Sequence, residues 1–564
     1  MKSINANLRY PWSWKMLYRV VLVLAIGLFF SSCEMENVLD KEPTEGFSDA
    51  AIWEDENLTK AAAFYTYKLM PFGFQREDQQ FFPYSNFSDE TNARNSTSTL
   101  GVIISGEHSP FYSGPMNVWT ARRNYWDPIS QANKFLANID GSTIDDAELK
   151  AQLTAEVRAL RAYAYFMLIS HYGGVPLITT PFSLDDDFKV ERSSYDEVMN
   201  FILSELNEII SSDVLPLSYG EPGRITLGAA MTIKSRALLY AASPLNNPEN
   251  DQQKWQTAAD AAKAVIDMGV YSLANDYQFL FMEGGGYSTP EVIWGRPMNI
   301  DIELEATLER RIFPNGWGGY GNVHPLQNLV DDFETLNGLQ PEDDPSYDPQ
   351  NPYVNRDPRF YATILYNGAP FKERTIETFL PGGLDTSDGI NSPWNATETG
   401  YYMRKFIDES KCACNSSASG SSSPTWIYFR YAEILLNYAE AKYMLGDEAT
   451  AREYINMVRS RSSVDMPPIT ESGDALFERI VNERRIELVF EEHRWFDVRR
   501  WMIAVEVLSE PRQKILINKD PETGEITYNV ETYWNTKFNE WNYLAPIPQE
   551  VIDQNSEIQQ NPGY

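Results

Sequence analysis

The stretch DALFERIVNERRIELVFEEHRWFDVRRW, residues 474–501, constrains the fold more than any other. Nearly every second residue in it is charged, yet apolar residues return at helical spacing. Phe477, Ile480, Val481, Leu488 and Val489 form the apolar stripe, and the spacing predicts one long helix at the edge of a buried core. Arg484 and Glu487, Glu491 and Arg494, and Asp497 and Arg500 are opposite charges three residues apart. Such a pair stabilises an exposed helix by only about 0.2–0.5 kcal/mol, so charge at this density implies a network that also reaches neighbouring elements.

The other helical patterns come in pairs. Periodicity predicts a first helix over residues 53–70 and its partner over 118–139, separated by an irregular region at 71–115. Leu153, Val157, Leu160, Ala164, Leu168 and His171 mark the next helix, which stops at Gly173, Gly174 and Pro176. Its partner opens on a capping box, Ser194 with Glu197. Residues 227–242 and 252–268 make a third pair, and 428–445 and 448–461 a fourth. Small residues at close-approach positions, such as Ala164, Ala241 and Ala439, suggest tetratricopeptide-like packing. From 269 to 425 the pattern gives way to Gly, Pro, Asn, Asp and aromatics. The expected fold is all-α, a single domain over 46–564. Its scaffold of four helix pairs covers about 46–268 and 426–564, and a loop-rich, ligand-binding insertion covers about 269–425.

ERRIELVFEEHRWFDVRRW resembles the C-terminal signature of the RagB/SusD (SusD-like) family of nutrient-binding outer-membrane lipoproteins of Bacteroidota. LRAYAYFMLISHYGGVPLIT, GRITLGAAMTIKSRALLYAASP, NPYVNRDPRFYATILYNG, TGYYMRKF, FRYAEILLNYAEAKYMLGD and YLAPIPQEVIDQNSEIQQNPGY also resemble family segments, in family order. At the N-terminus a basic region precedes eleven apolar residues, 20–30, then Ser31, Ser32 and Cys33. That run is too short to span a bilayer. It resembles a lipoprotein leader, residues 1–32, with Cys33 as the lipidated first residue of the mature chain and 33–45 as a flexible tether. The resemblance implies a lipid-anchored protein of the outer membrane, facing the medium, that captures oligosaccharide or polysaccharide. It also implies a partner, a SusC-like TonB-dependent transporter that receives the glycan.

A formal charge of −33 argues against nucleic acid as a partner. Gly316, Gly318 and Gly321 satisfy a GxGxxG pattern, but no apolar strand precedes them and no helix follows, so they read as a turn-rich loop that lets Trp317 and Tyr320 stand out. Paired carboxylates such as Asp331 with Asp332, or Asp343 with Asp344, are expected by chance among 80 acidic residues. Adjacency supplies neither the separation nor the raised pKa of a glycosidase. Asp385 and Asp388 beside Gly389 offer a structural calcium loop, though a solvated loop is the simpler reading, and no other cofactor is expected. Cys412 and Cys414 lack a second metal half-site.

Aromatic residues in loops carry the functional signal. A sugar presents C–H groups on one face and hydroxyls at its rim, so a flat ring with polar neighbours holds it without a catalytic group. The candidate ligand-binding residues are Trp317, Tyr320 and Trp394, then Tyr84, Phe111 and Tyr112, with Asp89 and Arg94 as hydrogen-bonding groups at the rim. No enzymatic activity is expected. The alternatives are a peptide-binding member of the same family, a surface glycoside hydrolase, and a lid without a ligand site.

Overall fold

Side-chain caps fix where six of the helices begin. The computed structural model describes residues 49–74, 83–93, 99–120, 124–183, 185–298, 308–411 and 422–564. In it, α1 (Glu56–Leu69) is capped by Asp55, which accepts from Leu58 N. It pairs with α2 (Trp126–Asn138). Asp146 caps α3 (Ala147–Tyr172), and Gly173 ends that helix at φ 73°, as its position in the sequence predicts. The Ser194–Glu197 capping box starts α4 (Tyr195–Ser212). Thr226 and Asp251 cap α5 (Leu227–Ala242) and α6 (Gln252–Asp267), and Asp447 caps α8 (Glu448–Arg459), the partner of α7 (Tyr431–Met444). From α1 to α8 each helix packs on the next, and the fold is predominantly helical.

Several boundaries differ from the sequence reading. Residues 118–120 do not begin α2, because Asn117 Oδ1 accepts from the backbone N–H groups of Trp119 and Thr120 and holds a turn there. The stretch 474–501 is two helices, α9 (Asp474–Glu487) and α10 (Arg494–Arg500), rather than one. Phe490 and Glu492 between them have φ of 61° and 64°, a left-handed backbone that cannot continue the helix. Strands were not anticipated. β1 (Thr91–Ala93) pairs with β3 (Val323–Pro325), β2 (Val292–Pro297) with β4 (Thr425–Arg430), and β5 (Arg512–Lys519) with β6 (Ile526–Trp534), all antiparallel.

The insertion is ordered by aromatic packing more than by secondary structure. Phe360 stacks on Tyr366 at 5.1 Å and meets Phe333 at 5.6 Å, and Tyr353 lies 4.5 Å from Tyr366. These rings share one hydrophobic cluster with the helical array, including Phe166 and Leu239.

A buried ionic network bolts the insertion to the signature helices. Glu487 receives Arg359 (3.0 Å), Arg430 (2.7 Å) and Arg461 (2.6 Å). Glu291 receives Arg430 (2.7 Å) and Arg461 (2.6 Å). Glu483 joins Arg359 to Arg459, and Glu491 joins Arg430 to Lys405. The signature charges therefore pair across elements, as their density implied; of the three pairs read from spacing, Asp497–Arg500 forms directly, at 2.8 Å.

Burial pushes the Glu487 carboxyl up, but Arg461, Arg430 and Arg359 outweigh it and hold its pKa at about 2. Glu483, Glu491 and Asp497 are likewise held low by their arginines against burial. In the unfolded chain a glutamate takes up its proton near 4.5, before the folded network does, so acid favours unfolding. The network's contribution to the urea midpoint is expected to be level from about pH 7 to about pH 5 and to fall steadily between about pH 4.5 and about pH 2. A midpoint unchanged at about pH 3 would contradict this assignment.

Candidate functional site

Two loops of the insertion are laced together by asparagines, and the lacing decides where the aromatic candidates stand. Buried Asn315 donates through Nδ2 to the carbonyls of Thr386 (2.9 Å) and Asn391 (3.3 Å) and accepts from the Tyr402 hydroxyl (2.6 Å). Asn391 donates to Gly316 O (3.0 Å), and Asn395 to Gly319 O (3.2 Å). Trp317, Tyr320 and Trp394 are thus carried by one double loop.

Their exposure differs. Trp394 sits on a 3₁₀ turn and is 71% exposed, and Ile390, four residues earlier, is 87% exposed. Trp317 is half-buried, edge-on to Phe371 at 5.6 Å, with the Arg374 guanidinium 4.8 Å from its ring centre. Asp385 fixes that guanidinium by two contacts of 2.5 and 2.8 Å. Tyr320, also half-buried, lies under Arg310 at 4.9 Å and Arg311 at 5.6 Å. Trp317 and Tyr320 therefore do not simply stand out from the glycine loop; each presents a ring backed by cations.

Four residues beyond Trp394, exposed Glu398 joins a hydrogen-bonded trio with half-buried Tyr533 and fully buried Asn92, which no sequence pattern marks. Asn92 on β1 donates to Glu398 (3.3 Å) and to the Tyr533 hydroxyl (3.2 Å), and Tyr533 donates to Glu398 (2.6 Å). β1 pairs with β3, whose Val323 follows Tyr320 by three residues. No local motif marks Asn92, Glu398 and Tyr533, because they come from three distant segments.

Gly316 tests the lacing. A Cβ there would lie 2.3 Å from Asp385 Oδ1 and 2.7 Å from Leu384 O. Gly316→Ala is expected to loosen the double loop and weaken ligand retention in a native affinity gel by about tenfold, with the helical far-ultraviolet signal unchanged. Undiminished retention would contradict the role given to the loop.

Other candidates fall elsewhere. Tyr84 is not a surface platform: it is buried, 4.9 Å from Phe496 and 5.2 Å from His171. Asp89 is not a rim group, being clamped by Arg485 (2.9 Å) and Arg494 (3.0 Å). Burial raises its carboxyl pKa, and these arginines bring it well below the usual range. Phe111 and Tyr112 are exposed on a turn that packs against the C-terminal segment. Arg94, Cys33, Cys412 and Cys414 lie outside the described residues.

The carboxylates set aside from the sequence are mostly engaged. Asp385 is held by Arg374, and Asp388 accepts from Gly382 N at 3.0 Å. Among the described residues no three His, Cys, Asp or Glu are grouped to hold a metal. Burial pushes Asp331 up to about 6, but its neighbour Asp332 is engaged by Arg485, which leaves that pair without a free second carboxylate. Asp344 is taken up by Thr335, Asn337 and Ser346.

The chain matches known proteins along most of its length. The model described as the SusD family matches residues 290–564, and one described as starch-binding, associating with the outer membrane, matches 57–239. SusD-like protein P38 of Formosa agariphila is 26% identical over 519 residues, spanning 86% of this chain and 92% of that protein. The crystal structure of a SusD-like protein from Bacteroides fragilis superposes with a TM-score of 0.77 at 28% identity, covering 93% of this chain and 100% of the other. A SusD-like carbohydrate-binding protein from the same species has a TM-score of 0.77 at 27% identity, covering 90% and 100%.

Proposed function

The chain belongs to the SusD (RagB) family, and from that premise we propose that it is a cell-surface glycan-binding lipoprotein, capturing oligosaccharide or polysaccharide for a SusC-like TonB-dependent outer-membrane transporter. The observation that carries this reading is the double loop. It places an open tryptophan, two cation-backed rings and a Glu398–Tyr533 pair braced by buried Asn92 on connected segments, a surface suited to the C–H faces and hydroxyls of sugars.

Three platforms at about 0.5–1.5 kcal/mol each, with a few hydrogen bonds near about 1 kcal/mol, correspond to dissociation constants of about 10⁻³ to 10⁻⁵ M. Binding of that strength suits a protein that hands its ligand on. The reading assigns the protein no bond cleavage. The arginines over Tyr320 and Trp317 weigh against the rival reading of a cationic-peptide binder. Anchoring through Cys33 at the outer surface, and delivery to the barrel, belong to the same proposal.

Electrophoresis through native gels containing laminarin, soluble starch, xyloglucan or galactomannan tests it. Retardation in at least one gel is expected, together with co-purification of a TonB-dependent barrel from outer membranes. Unretarded migration in all four, with retention on immobilised peptides instead, would overturn the glycan reading.

A further inference from the structure

A second cleft lies away from the double loop, between the turn at 109–112 and the C-terminal residues 541–564. The turn is a tight one: Ser109 N donates to Tyr112 O and Tyr112 N to Ser109 O, both at 3.0 Å, which lifts Phe111 to the tip at 81% exposure. Gln549 N latches it from the far side by donating to Pro110 O at 2.9 Å. Opposite stands Trp541, 44% exposed, with the backbone at Gly563 pressed against it. A Cβ on Gly563 would lie 2.3 Å from Trp541 Cβ, so only glycine allows this approach.

The floor is built around a hydrogen-bonded imidazole, and Glu107 is the one acidic side chain in the lining. Buried His108 is gripped through Nε2 by Asn542 Nδ2 and the Tyr564 hydroxyl, each at 3.0 Å. Burial, with Arg499 nearby, lowers the imidazole pKa to about 4, so it is neutral at ordinary pH. None of the lining residues is lysine or arginine. The open cleft has a volume of about 690 Å³, within the usual range of small-ligand sites. Aromatic rings with amide and hydroxyl groups in the same lining, one carboxylate at Glu107 and no lysine or arginine, match a neutral polyhydroxylated chain better than an anion or a nucleotide.

We propose that this cleft is a second saccharide-binding site, holding a segment of a neutral glycan between Phe111 and Trp541. The proposal rests on the reading of the protein as a glycan binder and adds to it a site with its own walls. Two sites on one chain give a polymer two points of attachment, so retention exceeds what either site supplies for a short oligosaccharide.

The test is calorimetry of the purified chain against laminarin, soluble starch, xyloglucan and galactomannan and their short oligosaccharides, using the native protein, Phe111→Ala, Trp541→Ala and Trp394→Ala. Phe111 is too exposed for its removal to disturb folding, so F111A reads the cleft alone. The expected result is two sites for the native chain and about a two- to tenfold loss of polymer affinity in F111A, with the Trp394-dependent site retained. If F111A and W541A titrate like the native chain while W394A weakens, the cleft proposal falls and the glycan reading stands. If the native chain binds none of the glycans, both fall. If F111A leaves every titration unchanged but loses the co-purified barrel, the cleft is a protein-docking surface and the proposal is overturned.

Discussion

Glu487→Ala is expected to cost about 3–5 kcal/mol of stability, because Arg359, Arg430 and Arg461 lose the buried carboxylate they share. Domains hold together by about 5–15 kcal/mol, so a loss of this size is roughly a fifth or more of the whole. Part of the charge remains answered, since Arg430 keeps Glu291 and Glu491, and Arg359 keeps Asp357 and Glu483. Glu487→Gln keeps the shape and an acceptor but removes the charge, and should fall between native and alanine. Urea denaturation followed by circular dichroism measures the series. An alanine variant within about 1 kcal/mol of native would mean that the network is incidental to holding the insertion in place.

Removing both tryptophans of the double loop should act on binding and spare the fold. Trp394 is largely exposed, so Trp394→Ala takes away a platform and little packing. Trp317→Ala removes a ring supported by Phe371 and leaves Arg374 still fixed by Asp385. Together they are expected to weaken glycan affinity by about 1–3 kcal/mol, roughly 5- to 150-fold. The urea midpoint of Trp394→Ala should match native. Unchanged affinity in the double variant would move the ligand away from this face, toward the cleft at Phe111 or onto another protein.

The helix pairs were legible because caps and stops are local. Ser194 with Glu197, and Gly173, announce their roles within four residues of sequence. The break between α9 and α10 was not, because LVFEEH keeps the periodicity of a buried helix while Phe490 and Glu492 take left-handed backbone angles imposed by their surroundings. The β5–β6 hairpin carried a readable sign that the helical reading passed over. ILI and ITY flank DPETG, where Asp520 Oδ1 accepts from Glu522 N and Thr523 N to make the turn.

For the site, residue type picks out loop aromatics but does not separate an exposed ring from a core residue. Tyr84 is buried because His171 and Phe496, far along the chain, close over it. Trp394 is open because nothing comparable does. The Asn92–Glu398–Tyr533 hydrogen bonds and the meeting of Phe111 and Trp541 in the lining of one cleft exist only after folding.

The most direct test of the central claim, capture without cleavage, is calorimetry of the native chain against the neutral polysaccharides, with reducing ends assayed in the same samples. The account predicts saturable heat with a dissociation constant of about 10⁻³ to 10⁻⁵ M for at least one glycan and no rise in reducing ends. New reducing ends appearing in proportion to protein concentration would contradict it and make the protein a hydrolase.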